Sequence, residues 1–208
     1  MLEPVPGIFE AALLLGAAAD FHANGMEDAR NALMAADRPS ILDWCEQLWG
    51  GRGRLDAYRR SSVHRFRDVP GLPAREVLDG PYIPAAVQRE VLDRDGFFCR
   101  FCGIPVIGQK ARKAMRDAYP ETIRWGARNV EKHAAFQAMD LDFDHIVPRS
   151  RGGRNTPENL VVSCAPCNCG RGNWTLEEVG VMDPRSTPAA ACAIPHALSK
   201  WDGLMRVL

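Results

Sequence analysis

Four of the seven cysteines form two Cys-x-x-Cys pairs: Cys99 with Cys102, and Cys164 with Cys167. At this spacing a tight turn can direct both sulfurs of a pair to one point, and four thiolates make the tetrahedral set that structural zinc prefers. Such a site can contribute roughly 10–16 kcal/mol of binding free energy to folding. We therefore expect a structural Zn²⁺ that joins two distant segments. The remaining cysteines are expected not to bind the ion: Cys45, Cys169 and Cys192.

Two alternative roles for the cysteine pairs stay open. Buried free cysteines pack as small apolar groups, and a Cys-x-x-Cys pair can be a redox site. Neither role accounts for two pairs that flank one polar segment. The zinc interpretation does, because the ion would hold both sides of that segment in place.

The polar segment between the pairs, residues 142–148, contains the groups needed to hydrolyse a phosphodiester. A histidine with a pKa near neutrality, here His145, can take a proton from an attacking water. The reaction also needs a cation on the scissile phosphate, and Mg²⁺ or Mn²⁺ takes carboxylate and amide oxygens. Asp144 and Asn168 supply these two oxygen types. We expect a strand–loop–strand–helix arrangement to bring Asp144, His145 and Asn168 together.

At these residues the sequence resembles the HNH endonuclease family, which has a ββα-metal fold. The resemblance covers residues 82 to 180, and it rests on the order and spacing of several short motifs. The motifs are the Ile83-Pro84 to Arg94-Asp95-Gly96 lead-in, both cysteine pairs, Asp144-His145, Arg151-Gly152-Gly153, Asn159-Leu160 and Cys167-Asn168. The resemblance implies an α+β fold of the four-cysteine zinc subtype and metal-dependent hydrolysis of DNA, with RNA not excluded.

The resemblance also implies a role for each motif residue. His145 matches the general base, and Asp144 and Asn168 match the two ligands of the catalytic cation. Asn159 matches the central Asn, which braces the loop through backbone hydrogen bonds and helps to orient the base. Arg171 stands where many members carry Lys, and we expect it to contact phosphate, because an arginine can bind phosphate bidentately.

Basic residues near the motif are further candidates for binding nucleic acid. Arg149, Arg151 and Arg154 lie beside the expected catalytic loop, where phosphate contact competes with simple solvation as an interpretation. Six arginines between Arg52 and Arg67 form a second basic stretch, although the chain as a whole has no net charge. His133 is expected on a helix surface.

Helical patterning fills most of the chain outside the motif. Residues 1–80 are predicted to form a separate, mostly helical region, followed by a nuclease domain at 81–182 and a tail at 183–208 that could dock on the body. Within the nuclease domain, helical patterning predicts an insertion at 104–140. The remaining predicted elements are a helix from Pro84, strands Leu141–Val147 and Leu160–Val162, a short helix from about Ala165 toward Gly172, and another over Trp174–Val179.

The sequence leaves three functional interpretations open. The first is a DNA nuclease, and the second is a non-catalytic zinc module that binds nucleic acid or protein. In the third, the chain is the nuclease subunit of a bacterial defence assembly, with a homodimer or larger complex formed through the N-terminal region. The apolar run Ala11–Ala19 is too short for a membrane span and is flanked by Glu10 and Asp20. We therefore expect a cytoplasmic protein that binds no membrane.

Overall fold

The computed structural model describes residues 3–25, 28–49, 79–186 and 195–208. The predicted basic stretch from Arg52 to Arg67 and Cys192 lie outside the described residues. Within these ranges the fold is α+β, with several helices around a small two-stranded sheet. None of the described helices combines the length and the apolar character that crossing a membrane requires.

The described residues before Gly50 form three α-helices, in agreement with the helical pattern of the sequence: α1 at Gly7–Ala23, α2 at Ala29–Ala36 and α3 at Pro39–Trp49. The apolar residues spaced at helical intervals along α1 are all fully buried, among them Ile8, Ala12, Leu15 and Ala19. These small and branched side chains let α2 pack closely along α1, because one apolar stripe faces the core.

The segment before the motif contains three further helices: α4 at Ala85–Asp95, α5 at Gln109–Ala118 and α6 at Ala134–Ala138. The helices of the predicted insertion are separate, since α5 ends before Pro120 and α6 is short. His133 does not lie on a helix surface, contrary to expectation. It lies fully buried at the start of α6, with its Nε2 2.9 Å from the carbonyl oxygen of Leu33.

The hairpin and helix of the predicted motif are present. Strand β1, Leu141–His145, pairs antiparallel with β2, Leu160–Cys164, and α7 follows directly at Ala165–Arg171. In this register Asp144 lies opposite Val161 and His145 opposite Leu160. The predicted helix over Trp174–Val179 is wrong. That stretch is a series of turns. The side chains of Thr175 and Glu178 each accept a hydrogen bond from the other residue's backbone amide, and these two bonds stabilise the turns.

The N-terminal helices and the hairpin share one apolar core. Helix α3 lies close to α7, since a Cβ added at Gly170 would be 2.7 Å from the backbone oxygen of Leu48. The C-terminal tail docks on the same body, as expected. Trp201 donates its indole N–H to the Val106 carbonyl at 2.8 Å, and Arg206 pairs with Asp20 of α1 at 2.6 Å. The described parts of the predicted N-terminal region thus pack as a continuation of the motif's core.

Candidate functional site

The four paired cysteines converge on one point. All four sulfur atoms lie within 4.8 Å of one another, and the Sγ atoms of Cys102 and Cys164 are 3.8 Å apart. Zn–S bonds of about 2.3 Å in a tetrahedron give sulfur–sulfur edges of about 3.8 Å. The geometry of this cluster therefore fits a metal ion that four sulfurs coordinate tetrahedrally.

Local backbone structure positions each of the two cysteine pairs in the cluster. The first pair lies on a tight turn in which the Gly103 amide donates to the Cys99 carbonyl at 2.8 Å, and Gly103 has a φ of 78° that suits glycine. The second pair spans the end of β2 and the first turn of α7. Burial raises the pKa of the Cys164 and Cys167 thiols. A bound cation would supply the attraction that keeps such buried sulfurs ionised.

Asn159 braces the loop that connects β1 to β2. Its Oδ1 accepts from the Val147 amide at 2.9 Å, and its Nδ2 donates to the carbonyls of Val147 at 3.1 Å and Arg154 at 3.0 Å. Gly153 lies so close that an added Cβ would be 1.7 Å from the Val147 oxygen. These contacts give Asn159 the geometry of a loop brace, and they end β1 before Val147 because the side chain replaces the strand ladder there.

His145 is the last residue of β1, and its side chain is partly buried. Its Nε2 lies 2.8 Å from the Oδ1 of Asn155. Burial lowers the pKa of the imidazole, and the nearby charges of Arg149 and Arg171 lower it further, while the Asn155 contact opposes them. The balance favours the neutral imidazole near neutral pH, which is the form that can accept a proton.

Asp144 is buried and paired with Arg171. The Arg171 Nε donates to Asp144 Oδ2 at 3.0 Å, and its Nη2 donates to Asp144 Oδ1 and, at 2.6 Å, to the His145 carbonyl. Nη1 donates to the Trp174 carbonyl at 2.6 Å. Burial raises the pKa of the Asp144 carboxyl to about 6, although the Arg171 charge opposes that rise.

The expected phosphate contact of Arg171 needs correction. Its side chain has no solvent exposure in this structure, and its guanidinium is committed to four acceptor atoms within the fold. Arg171 instead ties α7 to β1, which holds the Asp144–His145 backbone against the helix.

Asn168 faces Asp142 rather than Asp144 in this structure. Its Nδ2 donates to Asp142 Oδ2 at 3.2 Å. Burial raises the pKa of Asp142, and Asn168 and Arg112 oppose the shift. Sequence reasoning missed Asp142, although its position two residues before Asp144 on a strand places both carboxylates on one face of the sheet. The two expected cation ligands thus lie on adjacent elements, each with a different partner.

Comparison with known proteins identifies the family of this segment. The family model described as HNH endonuclease matches residues 128–173. This segment is therefore similar to HNH endonuclease domains. The match contains His145, Asn159 and Asn168 together with the second cysteine pair, and Cys99 and Cys102 lie before it. No curated protein and no solved structure matches the chain.

The arginines beside the HNH motif differ in their availability. Arg149 donates to the carbonyls of Pro81 at 2.7 Å and Asp79 at 3.2 Å. Arg151 forms a two-oxygen pair with Glu178 at 2.6 and 2.9 Å, and its side chain is 9% exposed. Arg154 is exposed on the loop that Asn159 braces. Of the four arginines predicted to contact nucleic acid, Arg154 therefore presents its side chain most openly to solvent.

Proposed function

We propose that this protein is a metal-dependent HNH endonuclease that hydrolyses phosphodiester bonds of DNA, with His145 as the general base. The observation that carries the proposal is the partly buried imidazole that Asn155 holds at the end of β1, inside a segment that matches the HNH endonuclease model. A non-catalytic binding module has no need for a histidine held in this way.

In the proposed reaction His145 takes one proton from a water as the water oxygen attacks phosphorus. The new O–P bond forms in line with the bond to the departing 3′ oxygen, and that bond breaks. The 3′ oxygen takes a proton from solvent and becomes the 3′-hydroxyl, and the other product carries the 5′-phosphate. Arg171 and Asn159 do not act on the phosphate. They fix the β1 end and the following loop, so that the imidazole keeps its position relative to the substrate.

The proposed catalytic cation is Mg²⁺ or Mn²⁺, held by Asp144 and Asn168. The donor set fits, because these hard ions take carboxylate and amide oxygens. Each Asp144 oxygen accepts one N–H from Arg171 and has a second lone pair, and Asn168 donates through Nδ2, which leaves Oδ1 as its ligand atom. Such a cation would offset the charge that develops on the phosphate and the leaving oxygen.

Zn²⁺ is the proposed occupant of the four-cysteine cluster, in a structural role. The cluster has no open position for a substrate, since four thiolates complete a tetrahedron. It joins the turn before the insertion to the start of α7, and α7 carries Asn168 and Arg171. Zinc would therefore stabilise the helix on which the catalytic cation depends.

The test is cleavage of supercoiled plasmid by purified protein with Mg²⁺, with Mn²⁺ and with EDTA. Nicked or linear products that carry 5′-phosphate ends and vanish in EDTA are expected. Ligation of the product ends distinguishes a 5′-phosphate from a 5′-hydroxyl. Zinc-replete, folded protein that binds the plasmid without cleaving it under any of these conditions would favour the non-catalytic module.

A further inference from the structure

Asn155 lies buried beside the proposed general base. It is 6% exposed, and its Oδ1 is 2.8 Å from the His145 Nε2. Its Nδ2 donates to the carbonyls of Gly80 at 3.0 Å and Tyr82 at 3.2 Å, and its backbone amide donates to Asp79 Oδ2 at 2.6 Å. Both the backbone and the side chain of Asn155 are therefore anchored to the segment that leads into α4.

These contacts determine which way the Asn155 amide points. Rotating the amide by half a turn would place Oδ1 against two carbonyl oxygens, Gly80 and Tyr82, which offer no proton. Nδ2 would then face His145, and neither carbonyl would have a donor. Because buried polar atoms are almost always satisfied, the observed orientation is the stable one. The group that faces His145 is thus an oxygen, which can only accept.

The orientation of Asn155 has a consequence for the imidazole. A nitrogen 2.8 Å from an acceptor-only oxygen must carry the proton of that hydrogen bond. In a neutral imidazole one nitrogen is protonated and the second has the free lone pair. The second nitrogen of His145, Nδ1, is then the atom that can accept a proton from water.

We propose that Asn155 is the positioning residue that holds His145 in the Nε2–H tautomer, so that Nδ1 is the nitrogen that takes the proton from the attacking water. The inference adds detail to the proposed function. Its catalytic part, the role of Nδ1, rests on that function. It separates two tasks that the family resemblance gave to Asn159 alone. Asn159 contacts loop backbone at Val147 and Arg154, whereas Asn155 makes the contact with the imidazole.

The tautomer can be measured directly on protein labelled with ¹⁵N-histidine. Long-range ¹H–¹⁵N correlation spectra near neutral pH distinguish a protonated from an unprotonated ring nitrogen, and the His145→Ala spectrum identifies the His145 signals. We expect wild-type His145 to show a protonated Nε2 and a free Nδ1. A wild-type spectrum with the proton on Nδ1 would overturn the inference without any need for a variant at Asn155. This measurement uses no DNA, so its outcome is independent of whether the protein cleaves DNA.

Substitution of Asn155 tests the catalytic consequence. In Asn155→Ala the tautomers should mix, and the single-turnover cleavage rate should fall by roughly 10–100-fold, as for residues elsewhere that orient a functional side chain. The KM for DNA should stay unchanged, because Asn155 contacts protein groups only. Asn129→Ala is the matched control, since Asn129 is an exposed asparagine whose side chain accepts from Lys132. It should leave both the spectrum and the rate unchanged.

Asn155→Asp separates the hydrogen bond to His145 from the anchoring of residue 155. One carboxylate oxygen can still accept from His145 Nε2, while the other replaces Nδ2 and leaves the Gly80 and Tyr82 carbonyls without a donor. This variant should therefore be less stable than wild type, yet it should keep more of the Nε2–H tautomer than the alanine variant does. If Asn155→Ala, with unchanged zinc content, keeps the Nε2–H tautomer and the wild-type rate, the inference is wrong.

Discussion

Removing the Arg171 side chain should destabilise the fold more than it weakens DNA binding. In Arg171→Ala the Asp144 carboxylate, whose side chain is 5% exposed, would lose its buried partner. Breaking a buried pair from one side typically costs about 3–5 kcal/mol. We expect a loss of that size in the free energy of unfolding at pH 8.

The pH dependence of that loss follows from Asp144. Its pKa is already raised to about 6 with Arg171 present, so without the arginine the carboxyl should remain protonated to higher pH. Below its pKa the carboxyl is neutral, and the penalty for an unpaired buried charge disappears. The difference between wild type and Arg171→Ala should therefore shrink as the pH falls from 8 to 5.5.

Urea unfolding of zinc-loaded protein at both pH values measures this effect. Arg154→Ala is the matched control, because it removes an exposed arginine of the same motif and should leave the unfolding free energy unchanged. The double variant Asp144→Asn/Arg171→Met removes both charges, and it should recover part of the unfolding free energy that Arg171→Ala loses. A stable Arg171→Ala protein with weakened, salt-dependent DNA binding would refute the buried-brace role and restore the phosphate contact expected from the sequence.

Three further predictions concern the loop, the buried histidine and the metal cluster. Gly153→Ala should lower stability by about 1–3 kcal/mol and slow cleavage, because its Cβ would meet the Val147 oxygen; urea unfolding and plasmid nicking measure this. Burial lowers the pKa of His133, so near that pKa the unfolded chain binds more protons than the folded chain does. The stability of the fold should therefore fall as the pH drops below 6.5. Thermal unfolding measures this, and the fall should be weaker in His133→Gln. Cys102→Ser should lose the bound zinc, measured by metal analysis, while Cys169→Ser should retain it.

The cysteine spacing predicted the metal cluster because two short turns can each be recognised locally. The sequence does not show directly that the pairs meet, but a shared ion requires it, and the four sulfurs do converge within 4.8 Å. The strands were predictable for a similar reason. In β1 the apolar Leu141 and Phe143 alternate with aspartates, and Pro148 limits the strand, whereas β2 is a short run that is buried throughout.

The partners of the site residues could not be predicted in the same way. Sequence places Arg171 on a short helix after β2, but whether it faces solvent or Asp144 depends on how α7 packs across the hairpin. His133 was misjudged for the same reason, because α2 covers it from a distant part of the chain. Asn155 lies in a loop, and its contact with His145 depends on Asp79, Gly80 and Tyr82 approaching from another segment.

The N-terminal region shows a further limit of sequence patterning. The pattern predicted helices over the described residues of this region, but it does not show what those helices pack against. The close contact between Gly170 and Leu48 shows that α3 covers one side of α7. A glycine at that contact is the one local signal, and its meaning emerges only when the partner helix is known.

The central claim is that His145 provides the base for hydrolysis and is not needed to bind DNA. The most direct measurement follows binding and cleavage of one labelled DNA duplex in the same samples, with Mg²⁺, by wild type and by His145→Ala of equal zinc content. We expect equal binding by both proteins and cleavage by wild type alone. Cleavage by His145→Ala at the wild-type rate would contradict the claim.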